Sequence, residues 1–536
     1  MFTNETQRFG SAEAASLYDL KQAGLFRRCP DGLMTGFAGK RPILVPGQGG
    51  SVLVGGARTQ KLASILGYTL CGFGYQGNII VNDPKGELAA ISQNQTHTGK
   101  HTVHWNPFRL HGLPHDRINP LGHIRPNDPA IITKLANTCA TLLPLSGGAN
   151  ARFFERTSRK YAGGAAATCL ELFDELTFLD WNHAINLMIQ GGEAWEGFAT
   201  QMRNSRFALA REAEAEIAQG RQSESGGFRG AMGELAQAFQ AFADPILMDA
   251  VSPPFDFSYE ELLSSEDSFN VYLMTPAEYI SEWEVPLRMH FTSAFIFKRQ
   301  APAAPGQLWV IDEAGQLGAN PMLEQAFSYG AGIGVRPWAV FQSLDQLNRI
   351  GKDSKGVILS SSAVRQFFGV RDLSTARIVS AMCGEQTLEY NDDLQQMQAA
   401  QRKRQAAMAM MTGQNFMQAA MAYRHEAAQE KHRAVIRRPL RTPDEVLNTP
   451  PQAQYVFCDQ VKKVIYCERR PYYEQPWMAG KFHPNPFYPP ADKVKIKNFW
   501  LGHSWRRVLE MDPPPSLRHL RQYRDRPVNY IEGYAP

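Results

Sequence analysis

The stretch SVLVGGARTQKLASILGYTLCGFGYQGNIIVNDPKGE, residues 51–87, decides the fold class. It begins with a short apolar run, continues with apolar residues at helical spacing, and ends with a second apolar run that stops at polar residues. Short apolar runs that flank a helix predict a β-α-β unit, whose two strands lie parallel in one sheet. The stretch therefore predicts an α/β fold with a parallel-core sheet.

Further apolar runs follow on the C-terminal side, and each ends in polar or small residues, where a parallel sheet places its ligand crevice. They are SFNVYLMT (268–275), GQLWVIDEAG (306–315), RPWAVFQS (336–343) and AVRQFFGV (363–370). Between the two groups, residues 126–250 are rich in Ala, Leu, Glu and Gln at helical spacing. We therefore expect an all-helical insert, with the sheet assembled from both sides of it.

These patterns, extended to the whole chain, predict a domain organisation. We expect an N-terminal helical approach (1–45), a first part of the sheet domain (46–125), the helical insert (126–250), a second part of the sheet domain (251–390), a helical segment with the C-terminal part of the core (391–480) and a Pro-rich, basic arm with one helix (481–536). The methionine-rich region 391–434 predicts a long helix or a helix pair broken near Gly413. Methionine as packing filler is favoured there over a partner-binding face.

Composition limits the class of protein. The chain of 536 residues is 43% hydrophobic and 20% charged, with a formal net charge of +4, which is ordinary for a globular protein and does not indicate a nucleic-acid partner. Its seven cysteines form no C-x-x-C pair, so neither a disulfide framework nor a thiolate zinc site is predicted. No run of about 18 uncharged apolar residues occurs, so we predict no transmembrane segment and a cytoplasmic location.

The clearest chemical motif is QLWVIDEAGQL, in which an apolar run leads directly to Asp312 and Glu313. In a P-loop ATPase, an Asp at such a strand end holds Mg²⁺ through water and the following Glu polarises the attacking water. Gln342 follows the next apolar run, where it can sense a γ-phosphate, and Asp83 follows the run IIVN. Alone, the Asp-Glu pair is explained equally well by a solvated acidic pair at a strand end, and Asp83 and Gln342 are each better explained by a turn or a helix cap.

The order in which these motifs occur along the chain is more specific than any one of them. The stretch LWVIDEAGQLGANPMLEQAFSYGAGIGVRPWAVFQSLDQLNRI (308–350) resembles the second nucleotide-motif region of the type IV secretion coupling proteins, the TraG-type ATPases of conjugation. NIIVNDPKGELAAIS (78–92), ILSSSAVRQFFGVRDLSTARIVSAMCGEQT (358–387) and RRPLRTPDEVLNTPPQAQYVF (437–457) extend the resemblance over residues 45–475. It implies a RecA-like P-loop domain, an inserted all-helical domain that reads DNA or adaptor signals, and a C-terminal extension.

The phosphate loop departs from the pattern. A P-loop reads G-x-x-x-x-G-K-[ST], in which glycines turn backbone N–H groups onto the phosphates, lysine meets the β and γ oxygens and the hydroxyl binds Mg²⁺. Here Gly55 and Lys61 remain, whereas Gln60 and Leu62 replace the second glycine and the hydroxyl. Between them lie Arg58, where the family usually has a small residue, and Thr59.

Two interpretations of this loop stay open. In the first, which the two missing residues favour, the motor is degenerate and largely inactive. In the second, the loop binds ATP and Mg²⁺ in a distorted way through Gly55, Arg58, Thr59 and Lys61, and Asp312, Glu313 and Gln342 complete an active DNA-translocating ATPase. A nucleic-acid-binding adaptor or regulator outside secretion is a third hypothesis.

The resemblance also implies partners: secretion components, a relaxase or adaptor proteins, DNA, and further subunits of a homo- or hetero-oligomeric ring. Coupling proteins usually begin with transmembrane helices, so we expect this chain to be recruited to the inner membrane by a membrane-anchored partner. Arg336, Arg365 and Arg371 are candidates for an arginine finger. The basic arm HSWRRVLEMDPPPSLRHLRQYRDRP (503–527) predicts a solvated face or a docking arm on a neighbouring subunit, with phosphate binding as the alternative.

Overall fold

The computed structural model describes residues 10–93, 97–144, 149–223, 226–390, 393–411, 416–430, 434–499, 502–524 and 526–534. The strands are β1 (Leu33–Ala38), β2 (Arg41–Val45), β3 (Gly50–Gly55), β4 (Asn78–Asn82), β5 (His101–Trp105), β6 (Phe269–Leu273), β7 (Gln307–Ile311), β8 (Val335–Phe341), β9 (Ser362–Phe368), β10 (Glu385–Tyr390), β11 (Ala434–Pro439), β12 (Ala453–Cys458), β13 (Val461–Glu468), β14 (Lys493–Lys497), β15 (His503–Met511) and β16 (Val528–Ile531).

The helices surround this framework. They are α1 (Leu17–Gln22), α2 (Gly67–Leu70), α3 (Glu87–Ile91), α4 (Ile131–Leu142), α5 (Ala149–Phe173), α6 (Phe178–Gln190), α7 (Gly192–Asn204), α8 (Ala208–Ser223), α9 (Gly226–Phe239), α10 (Pro245–Ala250), α11 (Glu284–Gln300), α12 (Pro321–Ile333), α13 (Ser354–Ser361), α14 (Leu373–Cys383), α15 (Asp393–Met411), α16 (Phe416–Glu430) and α17 (Pro443–Leu447). A π-helix, Leu62–Leu66, precedes α2.

One large sheet organises the protein. Among the described residues it contains eleven strands in the order β2-β1-β13-β12-β9-β3-β8-β7-β4-β6-β5. The seven strands from β9 to β5 pair in parallel, and the remaining four pair antiparallel at the other side. The predicted α/β fold with a parallel core is confirmed. Its central strands are buried along their whole length, which is why they appear in the sequence as continuous apolar runs.

The helical insert lies between β5 and β6. Residues 126–250 contain α4 to α10, and no strand occurs in the part of this range that the structure describes. Its centre is an apolar core around Trp181, where Phe178 stacks on Phe242 with ring centroids 4.2 Å apart. The packed core of the insert is continuous with that of the sheet domain and forms one cluster with it.

Residues 385–439 leave the main sheet. β10 does not join the large sheet but pairs antiparallel with β11, and the ribbon carries the helix pair α15 and α16. Gly413, where the sequence predicts the break, lies outside the described residues. The expectation that methionine fills a packed core is wrong, because five of the six methionines of this region are exposed, whereas the buried side chains described in the helix pair are Ala399, Ala406 and Ala419. The exposed methionines are Met397, Met408, Met411, Met417 and Met421.

The C-terminal segment is not the extended arm with a basic helix that the sequence predicts. It forms a three-stranded antiparallel sheet in the order β14-β15-β16. Residues alternate between two faces in KVKIK (493–497), with Val494 and Ile496 buried, and this period of two favours a strand. The segment also covers part of β5, the edge strand of the large sheet. The Gln522 side chain accepts a hydrogen bond from Thr102 N at 2.9 Å and donates one to Lys100 O at 3.0 Å.

Within the described residues, no helix combines the length and apolar character that crossing a bilayer requires.

Candidate functional site

The candidate site lies at the carboxyl ends of four neighbouring strands. β3, β8, β7 and β4 are adjacent in the sheet, and all four are parallel. The phosphate loop follows β3, Gln342 follows β8, Asp312 and Glu313 follow β7, and Asp83 follows β4. The residues that the sequence predicts for one site are thus brought together, because parallel strands end at the same sheet edge.

Lys61, Glu313 and Gln342 form a half-buried polar network. Lys61 Nζ lies 3.7 Å from Glu313 Oε1, with both side chains less than 15% exposed. Gln342 Nε2 donates to Glu313 Oε1 at 3.1 Å and to Oε2 at 2.9 Å. A phosphate at this site would have to compete with Glu313 for the charge of Lys61.

Two carboxyl groups lie next to this network, of which Asp83 is buried and Asp312 is half-buried. Burial raises the pKa of Asp83 to about 7, and the neighbouring Asp312 carboxylate adds to the rise. Burial likewise raises the pKa of Asp312 to about 6; Glu313 adds to this rise, whereas Lys61 and Lys85 oppose it. Asn82 Nδ2 donates to Asp312 O at 2.8 Å and joins the ends of β4 and β7. A cation bound here would favour the charged carboxylates.

The phosphate loop holds two residues in an unfavourable backbone conformation. Arg58 has φ 60° and Gln60 has φ 58°, which is the left-handed region that suits glycine. Gln60 therefore occupies the positive-φ position that a P-loop fills with its second glycine. The first glycine is required for packing, because a Cβ on Gly55 would lie 2.7 Å from the Phe368 ring.

The loop offers no free hydroxyl where Mg²⁺ is expected. Leu62 stands at that position, and the hydroxyl groups on either side are used internally. Thr59 Oγ1 donates to Gly56 O at 2.7 Å, and Ser64 Oγ donates to Gln60 O at 2.7 Å. The carboxylate half of the site offers oxygen ligands that suit Mg²⁺, whereas the loop half lacks the second glycine and the hydroxyl of a P-loop.

Sequence reasoning missed Arg469, which holds the phosphate loop through hydrogen bonds. Its Nη1 donates to Thr59 O and to Ser64 Oγ, both at 2.8 Å, and its Nη2 donates to Pro451 O. The guanidinium lies 3.7 Å from the centroid of the Phe368 ring, and burial lowers the pKa of Arg469 to about 10. The only sequence signal for Arg469 is the run RRP (469–471). Arg469 lies 410 residues after Thr59, so its contact with the loop was not predicted.

The three arginines proposed as fingers have different environments. Arg336 lies at the amino end of β8, buried, and donates to Gly49 O and Asp31 O at 3.1 and 2.7 Å. Arg336 is therefore excluded as a candidate for reaching a neighbouring subunit, because it is buried and holds loops at the opposite sheet edge. Arg365 lies within β9, and Arg371 is exposed next to Gly56 of the loop. Arg371 thus remains a candidate for contact with nucleotide or a neighbouring subunit.

The histidines near β5 form separate contacts. The His97 ring nitrogen lies 3.1 Å from Cys71 O, His101 lies 3.2 Å from Asp267, and His104 stacks on Tyr272. In the part of the chain that the structure describes, no group of three or more His, Cys, Asp or Glu side chains is placed to hold a metal ion.

This fold and this sheet edge define a RecA-like P-loop protein with a helical insert. The sequence model described as "Type IV secretory system Conjugative DNA transfer" matches residues 6–495. The chain therefore belongs to this family, the coupling proteins of type IV secretion.

Relatives agree with this assignment. The conjugal transfer protein TraG of Rhizobium radiobacter is 25% identical over 196 residues, which are 36% of this chain and 27% of TraG. The type IV secretion system-coupling protein VirD4 of Bartonella quintana is 24% identical over 245 residues, 44% of this chain and 34% of VirD4. The matches thus span about a third or less of these relatives.

Solved structures support the fold. The conjugative coupling protein TrwBdeltaN70 superposes with a TM-score of 0.60 at 14% identity, covering 88% of this chain and 96% of that one. TrwB in complex with the GTP analogue GDPNP gives a TM-score of 0.61 at 16% identity, with the same coverage.

Proposed function

We propose that this chain is a coupling-protein subunit that recruits DNA or a protein–DNA complex to a type IV secretion channel, with ATPase activity weak or lost. The observation that supports weak or lost ATPase activity is the backbone of Gln60, which has φ 58° at the position of the loop's second glycine. A side chain there costs about 1–2 kcal/mol of backbone strain and has to be accommodated next to any bound phosphate.

Two further features of the loop support weak turnover. Leu62 offers Mg²⁺ no ligand, and the nearby hydroxyls of Thr59 and Ser64 are engaged by backbone carbonyls. Lys61 is paired with Glu313, so phosphate binding must first break an existing contact. These features weaken nucleotide binding at separate points, so repairing any one alone is insufficient.

An active DNA-translocating motor is the second candidate. Asp312, Glu313 and Gln342 lie together within reach of Lys61, which favours it. TrwB is described in complex with ADP and Mg²⁺, and by analogy ATP and Mg²⁺ are the cofactors this site would take. In that case Asp312 would hold Mg²⁺ through water, Glu313 would orient the attacking water, and Gly55, Arg58, Thr59 and Lys61 would contact the phosphates.

The experiment is nucleotide binding and steady-state hydrolysis with Mg²⁺, with and without DNA. It compares the wild-type protein with Lys61→Ala and with the double variant Gln60→Gly/Leu62→Thr. We expect wild-type turnover no higher than that of Lys61→Ala, and at least tenfold tighter nucleotide binding by the double variant. DNA-stimulated wild-type turnover that Lys61→Ala abolishes would establish the motor instead.

The family assignment supports proposals for partners. We propose secretion components, a relaxase or adaptor protein, and DNA as partners. We also propose assembly into a homo- or hetero-oligomeric ring, as well as recruitment from the cytoplasm to the inner membrane by a membrane-anchored partner. The exposed Arg371 next to the phosphate loop is the arginine we expect at a subunit contact.

A further inference from the structure

The outer face of the sheet β14-β15-β16 concentrates basic side chains around one tryptophan. In the register of β14 with β15, Lys493 lies opposite Arg507, Lys495 opposite Trp505, and Lys497 opposite His503. Directly opposed residues of an antiparallel pair project from the same face, so these six side chains share one surface. We call this surface the basic face.

The charge of the basic face is largely uncompensated. Like charges directly opposite each other destabilise a strand pair, and Lys493 and Arg507 form such a pair. Among the described residues, no carboxylate forms an ion pair with the three lysines or with Arg507; Glu474 pairs with His503 at 2.9 Å. Glu532 lies at the margin, where it accepts from Arg507 N at 3.2 Å. The sheet bears an electrostatic cost that an anionic ligand would relieve.

The opposite face of this sheet fixes the basic face in position. Val494, Ile496 and Ile531 are buried and pack with Tyr472 and Met478 against the sheet domain. The basic face therefore points away from the protein on a sheet that packs against the main body through its other face. A preformed surface of this kind binds without the entropy cost of ordering its own backbone.

Its spacing and its aromatic residue favour a single nucleic-acid strand. Alternate residues of β14 lie about 6.6–6.8 Å apart, which suits successive phosphates of an extended strand. Trp505 is 53% exposed, and Lys493 Nζ lies 5.4 Å from its ring centroid. An exposed indole among cations provides a stacking platform beside a phosphate track, the arrangement that proteins use for single strands irrespective of sequence.

We propose that the basic face binds single-stranded nucleic acid through Lys493, Lys495, Lys497 and Arg507, with a base stacked on Trp505. β15 and β16 lie beyond residue 495, where the match to the family model ends. Its role in the cell rests on the proposed recruitment of DNA, whereas strand binding itself needs neither nucleotide nor a secretion partner.

The test is fluorescence anisotropy of a labelled oligo-dT, titrated with the full chain at several salt concentrations without nucleotide. We expect Lys495→Gln and Arg507→Gln each to weaken binding severalfold and to reduce the salt slope by about 0.7. Trp505→Ala should weaken binding about tenfold, and Trp505→Phe should restore most of it. The control is Lys462→Gln, an exposed lysine of β13 outside the basic face, which should bind like wild type.

Two results would overturn the proposal. One is oligo-dT binding that the Lys495, Arg507 and Trp505 variants leave unchanged while thermal unfolding shows them folded. The other is that oligo-dT does not bind, while vesicles containing phosphatidylserine sediment the wild-type protein but not Lys495→Gln, which would assign the basic face to a membrane. Neither result depends on whether the protein hydrolyses ATP, so the two proposals fail separately.

Discussion

Replacing Gln60 with glycine should stabilise the protein although it removes a side chain. At φ 58° a residue with a Cβ costs about 1–2 kcal/mol relative to glycine. Glycine loses more backbone entropy on folding, which offsets roughly 0.5–1 kcal/mol of that gain. Since the Gln60 side chain is exposed, little packing is lost. We therefore expect Gln60→Gly to raise the unfolding free energy of the sheet domain by about 0.5–1 kcal/mol.

The measurement is urea-induced unfolding followed by circular dichroism, with three matched variants. Gln60→Gly and Gln60→Ala change the same position, but only the first removes the Cβ. Arg58→Gly relieves the same kind of strain, at φ 60°, at a position where a P-loop needs no glycine. We expect both glycine variants to unfold at higher urea than wild type and Gln60→Ala to unfold near it.

Two results of the unfolding and nucleotide-binding measurements would contradict the reasoning. If Gln60→Gly is no more stable than Gln60→Ala, the left-handed conformation stores no strain, and the argument that Gln60 distorts the loop fails. If Arg58→Gly/Leu62→Thr tightens nucleotide binding as much as Gln60→Gly/Leu62→Thr, relief of strain matters but the second-glycine position has no special role.

Two further predictions concern groups buried behind the loop. Arg469→Lys keeps the charge but cannot donate to Thr59 O and Ser64 Oγ while stacking on Phe368, so we expect a loss of about 2 kcal/mol in urea unfolding and faster amide exchange in the loop. The pKa of Asp83 is raised to about 7, so the folded protein keeps a proton that the unfolded chain releases near pH 4. Unfolding free energy should fall as pH rises from about 4 to about 7, and Asp83→Asn should flatten that fall in urea titrations at each pH; an equal fall in the variant would contradict the assignment.

The parallel core could be predicted because its sequence signal is local. The strands β3, β4, β7 and β8 are buried on both faces, so each appears as an apolar run that stops where the chain leaves the sheet. The end of each run places Asp312, Glu313 and Gln342 at one sheet edge, whereas their interpretation as a candidate site also required the order of the motifs along the chain. Predicting that these residues lie close together required only the rule that parallel strands end at one sheet edge.

The rest depends on long-range contacts that local sequence does not encode. Arg469 lies 410 residues after Thr59, whose carbonyl it binds, and nothing in the run RRP specifies that partner. β15 was predicted as part of an arm with a helix because both of its faces carry polar residues. One face contains Trp505 and Arg507, and the other contains Ser504 and Arg506. Without a polar–apolar alternation, a strand with basic residues on both faces resembles an exposed helix.

The retained carboxylates do not by themselves indicate an active ATPase. Gln342 joins the end of β8 to Glu313 after β7, and Asn82 joins the end of β4 to the same segment. Glu313 also neutralises Lys61, which would otherwise be a half-buried cation. These contacts stabilise adjacent strand ends whether or not ATP is hydrolysed. The exposed side chain of Gln60 has no such structural task, whereas Leu62 packs against two apolar clusters, so changes to the P-loop itself rather than to the carboxylates separate a motor from a recruiting subunit.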